Sequence, residues 1–301
     1  SVSLKDINID YNFDKENLVR MGYFVHQYGL QSGTSSSFKI SMEEPLASQA
    51  FFNSRLLGAM FLHAGEKFHA TASLFAENDA MKMSTDKLGN EAWGAMTRLV
   101  WRPFTERGKI FHIGISGAYE SPRYSKNPAN SHSSYTLRAP FPTRIANVSA
   151  QEATITNATA LWKFSPEMNV ACGNLGLEVQ YFYVGIKRDH ALPNYSAWGA
   201  YGNVRYLLNG QGYTYTRTDA GIATPDPGSM ELVAAYNYST LSDKDAGIHG
   251  GKVSDWSLTF NYYLNKYMIW RVRGSITRAT DNAAFNNNTF SILETRLQIK
   301  F

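Results

Sequence analysis

The chain has 301 residues, 44% of them hydrophobic and 14% aromatic, with 29 Lys and Arg against 25 Asp and Glu for a formal net charge of +4. A mean hydropathy of −0.32 and the absence of any apolar run of roughly 18 residues exclude a helical membrane protein, but not a barrel whose strands alternate lipid-facing and water-facing side chains. The lone cysteine, Cys172, excludes an intramolecular disulfide and reads as a small buried residue, and the charge is too balanced to imply nucleic acid.

In chain order the pattern predicts about thirteen strands of about ten residues each. They fall at 3–13, 18–28, 54–64, 67–77, 92–103, 109–120, 153–164, 175–187, 196–208, 229–240, 254–264, 267–279 and 289–301. Tight connections such as Asp14 to Asn17, Glu66-Lys67, Thr105 to Gly108 and Asn265-Lys266 alternate with long polar ones at 29–53, 78–91, 121–152, 241–253 and 280–288. Such parity is a property of membrane barrels and not of soluble sandwiches. Residues 209–228 break it, being long and polar where a tight turn is due.

Within strands the period is two. Leu293, Thr295, Leu297, Ile299 and Phe301 share one face, with Glu294, Arg296, Gln298 and Lys300 on the other. Trp270, Val272 and Ile276 alternate with Arg271 and Arg273, and Trp93, Leu99 and Trp101 oppose Arg98 and Arg102. Soluble sheets alternate too. The span length, the rings near strand ends (Trp93, Trp101, Tyr119, Trp198, Trp256, Trp270) and the aromatic terminus at Phe301 favour an all-β, transmembrane antiparallel barrel over a soluble sandwich. With the last strand ending in the periplasm, thirteen strands put Ser1 outside the cell, so an odd number of N-terminal strands is expected to be missing.

Several segments carry a resemblance. Val19-Arg20-Met21-Gly22-Tyr23-Phe24 through Tyr28-Gly29-Leu30, Thr34-Ser35-Ser36, Met42-Glu43, Phe75 to Asn78, Leu99 to Phe104, Tyr206 to Gly210, Met230 to Tyr236 and Trp256 to Leu264 together resemble the phosphate-selective porin O and P family. The resemblance implies a single outer-membrane barrel domain over 1–301, about sixteen strands in the full fold with roughly thirteen covered here. It also implies a loop near 30–52 folded inward, frequent trimers, and passive diffusion of small hydrophilic solutes with an anion preference. The partners expected are the lipid bilayer and lipopolysaccharide of the bacterial outer membrane, further copies of the chain or other outer-membrane proteins, and small solutes or anions, without nucleic acid and without a cofactor.

Candidate lumen residues are Arg20, Arg98, Arg102, Arg205, Arg271, Arg273 and Arg296 on polar strand faces, where guanidinium groups can replace part of an anion's hydration shell. The alternative is that Glu231, Glu294 and similar carboxylates merely neutralise them. Loop 30–52 offers Ser35, Ser36, Ser37, Lys39, Glu43 and Glu44, then a helix-like Pro45 to Phe52. Ser37 stands where the family carries an inward-loop lysine, with Lys39 two residues on, a departure from the phosphate-binding pattern. Arg138 and Arg144 occupy the family's arginine-rich inward segment, with Pro140 and Pro142 between them. No nucleotide, nucleophile-elbow or zinc-protease motif is present, and adjacent Glu43 and Glu44 read as a solvated helix start, so no catalytic residue is assigned. His63, His69 and His112 lie on neighbouring strands but read as wall residues, not as a metal site. A barrel subunit with a plugged lumen inside a larger complex is the second reading.

Overall fold

The computed structural model describes residues 5–33, 39–51, 55–76, 93–121, 134–143, 148–189, 191–281, 285 and 287–299. The strands are β1 (Ile7–Asn12), β2 (Asn17–Phe24), β3 (Leu56–Ala64), β4 (Phe68–Ala76), β5 (Trp93–Glu106), β6 (Lys109–Ser121), β7 (Ser134–Pro140), β8 (Ser149–Thr156) and β9 (Ala158–Cys172). They continue as β10 (Leu175–Arg188), β11 (Tyr195–Leu207), β12 (Tyr215–Thr216), β13 (Gly221–Ile222), β14 (Met230–Asp243), β15 (Ile248–Asn265), β16 (Met268–Thr280) and β17 (Thr289–Ile299). Two short helices, α1 (Leu30–Gly33) and α2 (Leu46–Phe51), lie between β2 and β3.

Thirteen strands make one antiparallel sheet in the order β1-β2-β3-β4-β5-β6-β9-β10-β11-β14-β15-β16-β17. Its two edges, β1 and β17, are not paired with each other among the described residues. One rim carries the turns 13–16, 65–67, 107–108, 173–174 and 266–267; the other carries the connection 25–55 and the β7–β8 hairpin.

The sheet is apolar outside and charged inside. Trp256, Leu258 and Leu297 are 64%, 56% and 54% exposed, while Arg98, Arg102 and Arg271 are at most 1% exposed. Side chains alternate across the pleat, so each outward ring or aliphatic group forces its neighbour into the bore. A water-soluble protein would forfeit about 1.5–3 kcal/mol for each large apolar side chain so presented, which removes the sandwich alternative and makes hydrocarbon the solvent of the outer face. The rings named from the sequence, Trp93, Trp101, Tyr119, Trp198, Trp256 and Trp270, all face outward.

Every one of the thirteen expected strands has its counterpart in the wall, with four corrections to the sequence reading. The span expected at 153–164 is two strands: Asn157 takes a left-handed φ of 54°, ending β8 and re-aiming the chain into β9. β8 pairs with β7 as a separate hairpin, Ser134↔Thr156 to Pro140↔Ser149, which the sequence reading leaves as loop. The connection expected at 241–253 is short, because β14 and β15 extend beyond an irregularity at Thr240/Ser242 to meet at Asp243↔Ile248. Cys172 is exposed at the end of β9, not buried.

Candidate functional site

Three segments fill the bore. The connection 25–55 enters from the loop rim at β2 and crosses to the opposite wall. The Gly29 amide donates to Ser116 Oγ (2.9 Å), and Gln31 Nε2 donates to Glu178 Oε1 (2.9 Å) and to the Tyr201 hydroxyl (3.1 Å). Beyond the undescribed residues 34–38 it lies deep against β15 to β17. There Asn261 Nδ2 donates to the Ile40 carbonyl (2.8 Å), Arg271 to the Lys39 carbonyl (2.6 Å), and Arg296 to Glu43 (2.6 Å). Then α2 turns back, burying Phe51 against Phe182 at 5.7 Å between ring centroids. Of the helix expected over Pro45 to Phe52, the described part is Leu46–Phe51, and its apolar side packs on the wall.

The β7–β8 hairpin enters from the same rim. Its inner face buries Leu137, Ala139, Ala153 and Ile155 with Phe182, Val184 and Ile186. Gln151 Nε2 fixes it to the Ser239 and Gly251 carbonyls (2.9 and 3.0 Å).

The third segment, 208–229, rises from the turn rim and explains the broken parity. Gly212 has φ +92°, and a side chain there would press on the Gly173 carbonyl and Gly108 Cα at 3.0 and 3.2 Å; only glycine permits this close inward step. Further in, Tyr213 donates to Glu231 (2.8 Å), and Arg98 donates to the Asp219 and Ala220 carbonyls (both 2.8 Å). Burial pushes the Tyr215 hydroxyl up, so it stays protonated and donates to His112 Nδ1 (2.8 Å), whose Nε2 donates to Glu167 (3.0 Å). Burial likewise raises the Asp219 carboxyl, against the pull of Arg98 and then Arg20. The first and third segments touch where Gln27 Nε2 donates to the Thr218 carbonyl (3.2 Å).

Arg98, Arg102, Arg205, Arg271 and Arg273 are buried on the inner face of the sheet, and most are neutralised. Arg98 contacts Glu167 at 2.7 Å, Arg205 contacts Glu231 at 2.8 Å, and Arg273 contacts Asp255 and Glu294 at 2.8 and 3.0 Å. Arg20 pairs with Asp10 at 2.6 Å beside the free edge, and Arg296 with Glu43. Two differ. Among the described residues Arg102 and Arg271 have no carboxylate partner: Arg102 donates to the Arg217 carbonyl (2.6 Å) and Arg271 to Lys39 and to Gln298 Oε1 (2.8 Å), and the Nε of each has no partner.

In the inward connection Lys39 pairs with Glu44 at 3.1 Å. Arg138 lies on the exposed face of the hairpin, 3.5 Å from Glu152 and apart from the wall arginines. Ser35, Ser36, Ser37, Arg144 and Phe301 fall outside the described residues. The wall histidines each have a protein partner: His63 with Asn17, His69 with Gln27 (2.8 Å each) and His112 with Glu167.

The sequence reading misses Glu167, Asp255, Gln27 and Tyr215. The strand period alone puts Glu167 and Asp255 on the inner face; the partners become apparent only once the register sets Arg273 and Thr277 beside Asp255.

No curated protein matches the sequence. Among solved structures, OmpT of Vibrio cholerae aligns with TM-score 0.52 and 7% identity over 94% of this chain and 75% of its own. OprB of Pseudomonas putida aligns with TM-score 0.55 and 10% identity over 99% of this chain and 73% of its own. At such identities these likenesses speak for the fold, an outer-membrane barrel. A sequence profile of the family described as Phosphate-selective porin O and P matches residues 1–301. With its greasy exterior, charged bore and inward loops, the chain belongs to the phosphate-selective porin O and P family, porins of the bacterial outer membrane.

Proposed function

We propose that solutes cross along the wall formed by β11, β14, β15 and β16, beside the segment 39–49, and that a mild anion preference rests on the net positive field of Arg271 on that wall and of Arg102 on β5. The observation that carries the second point is that the partners of these two among the described residues are carbonyl and amide oxygens and no carboxylate, which leaves each guanidinium a net positive charge. A guanidinium already holding a carboxylate at 2.7–2.8 Å, as in Arg98 or Arg205, offers little net attraction to a passing anion. Reversal potentials in a salt gradient across planar bilayers test this. The protein should favour chloride over potassium and lose that preference on combined Arg102→Gln and Arg271→Gln substitution; a cation-selective channel overturns the proposal.

The plugged-subunit reading has one observation in its favour, the contact of inserts from both rims at Gln27 and Thr218. Conductance separates the two readings, since a plugged scaffold stays silent as purified. We also propose that further strands join β17 to β1. The edges β1 and β17, unpaired among the described residues, would leave rows of backbone donors and acceptors in hydrocarbon, where each costs several kcal/mol. Disulfide trapping between cysteines placed at Ile9 and Leu297 should fail if strands intervene and succeed if these edges meet directly.

A further inference from the structure

The bore keeps a crevice, open to solvent, between the segment 40–49 and the wall of β11, β14, β15 and β16. We propose that it is a binding site for a small neutral polyhydroxylated solute, of monosaccharide or polyol chemistry. The inference rests on the solute path proposed above and adds its substrate class.

Charge comes first. The ionic groups lining the crevice are Glu43, Glu44, Asp255 and Arg273, and each is already matched: Glu43 by Arg296, Glu44 by Lys39, Asp255 by Arg273. A charged solute entering here would have to displace a formed pair, losing its own hydration for no net Coulombic gain.

The uncharged lining then decides the class. Asn203 and Asn237 are 5% and 6% exposed, line the crevice, and have side-chain oxygens without a hydrogen-bond partner in the described structure. Ser257 and Gln49 stand beside them. Amides and hydroxyls both donate and accept, so their best complement is a ligand whose groups do the same, which is the property of a hydroxyl and not of a phosphate or an ammonium. A buried unmatched amide oxygen costs roughly 1–3 kcal/mol, an incentive that a ligand hydroxyl removes. The Tyr201 ring with Leu46, Pro142 and Val233 supplies apolar contact for the C–H face of such a solute.

The test uses the purified protein in detergent and in planar bilayers, with glucitol, inorganic phosphate and ethylammonium as probes. Equilibrium dialysis should show saturable glucitol binding that neither ion displaces. Combined Asn203→Leu and Asn237→Leu substitution should raise the half-saturating concentration about tenfold, the size expected of two net hydrogen bonds. Ala235→Phe, filling the crevice from the wall, should abolish binding, whereas Ala234→Phe on the lipid face should leave it unchanged and so report on folding. A conducting channel without saturable glucitol binding, or one whose glucitol is displaced by phosphate, overturns this inference and leaves the porin path standing. Binding without conduction removes the path and keeps the site; the lack of both removes both.

Discussion

Arg98→Met tests what seats the turn-rim insert. Arg98 donates from one guanidinium to the Asp219 and Ala220 carbonyls at 2.8 Å and to Glu167 at 2.7 and 2.9 Å, with both partners of the ion pair fully buried. Loss of the two bonds from a charged donor to the insert removes about 1.5–3 kcal/mol each, or about 3–6 kcal/mol from its seating. At about 1.4 kcal/mol per factor of ten, the unseated population rises by about a hundredfold to ten-thousandfold. The Glu167 carboxylate, left with only the bond from His112, adds to the loss, since a buried charge deprived of its ionic partner costs about 3–5 kcal/mol. The assay is limited proteolysis of membranes opened to the turn-rim side, scored for cleavage within 209–229, together with single-channel conductance, which should increase as the insert leaves the bore. The control is Arg107→Ala. Arg107 also ties the insert, through Asp226 at 2.6 Å, but the two side chains are 41% and 53% exposed, so the change should cost at most about 1 kcal/mol. Equal cleavage in both variants would refute the argument that burial of the Arg98 pair is what holds the insert.

Three further outcomes follow from the same structure. Gly250→Val should displace the β7–β8 hairpin, because a side chain there would lie 2.7 Å from Ala153 Cβ and 2.5 Å from the Leu241 carbonyl; increased protease cleavage within 134–156 measures it. Leu258→Arg should destabilise refolding into bilayers by about 2–4 kcal/mol if that outward residue sits near the hydrocarbon midplane, whereas Ser257→Arg, one residue along and facing the bore, should refold normally. Because the Asp219 carboxyl is raised above its unfolded value by burial, its charged form opposes seating. The insert's contribution to stability therefore grows as pH falls through the folded pKa and weakens as pH rises past it; Asp219→Asn should remove that pH dependence from the proteolysis of 209–229.

The wall was legible because a membrane strand writes its two faces directly into the sequence. Leu293 to Phe301 and Trp256 to Leu264 each predict inside and outside with no knowledge of their neighbours. The inserts were legible only as exceptions: 209–228 stood out by being long where a turn was due, but nothing in its composition states that it turns inward. That depends on three glycines, Gly108, Gly173 and Gly212, from separate hairpins meeting at one point. The β7–β8 hairpin was hidden for a similar reason. Its alternation runs into that of β9, and the break rests on the backbone angle of one residue, Asn157. The arginines have partners on strands distant in sequence, as with Arg98 and Glu167, so local pattern could not say which would remain without a counter-charge.

The close matching of guanidinium to carboxylate, at 2.7–2.8 Å for Arg98, Arg205 and Arg273, turns what would be a row of monopoles into a row of small dipoles. A dipole's potential dies away over a few ångströms, well inside the Debye length of about 8 Å at physiological ionic strength. Transit through this barrel should therefore respond only weakly to external salt, and a solute will feel the wall's polarity only when it is almost touching it.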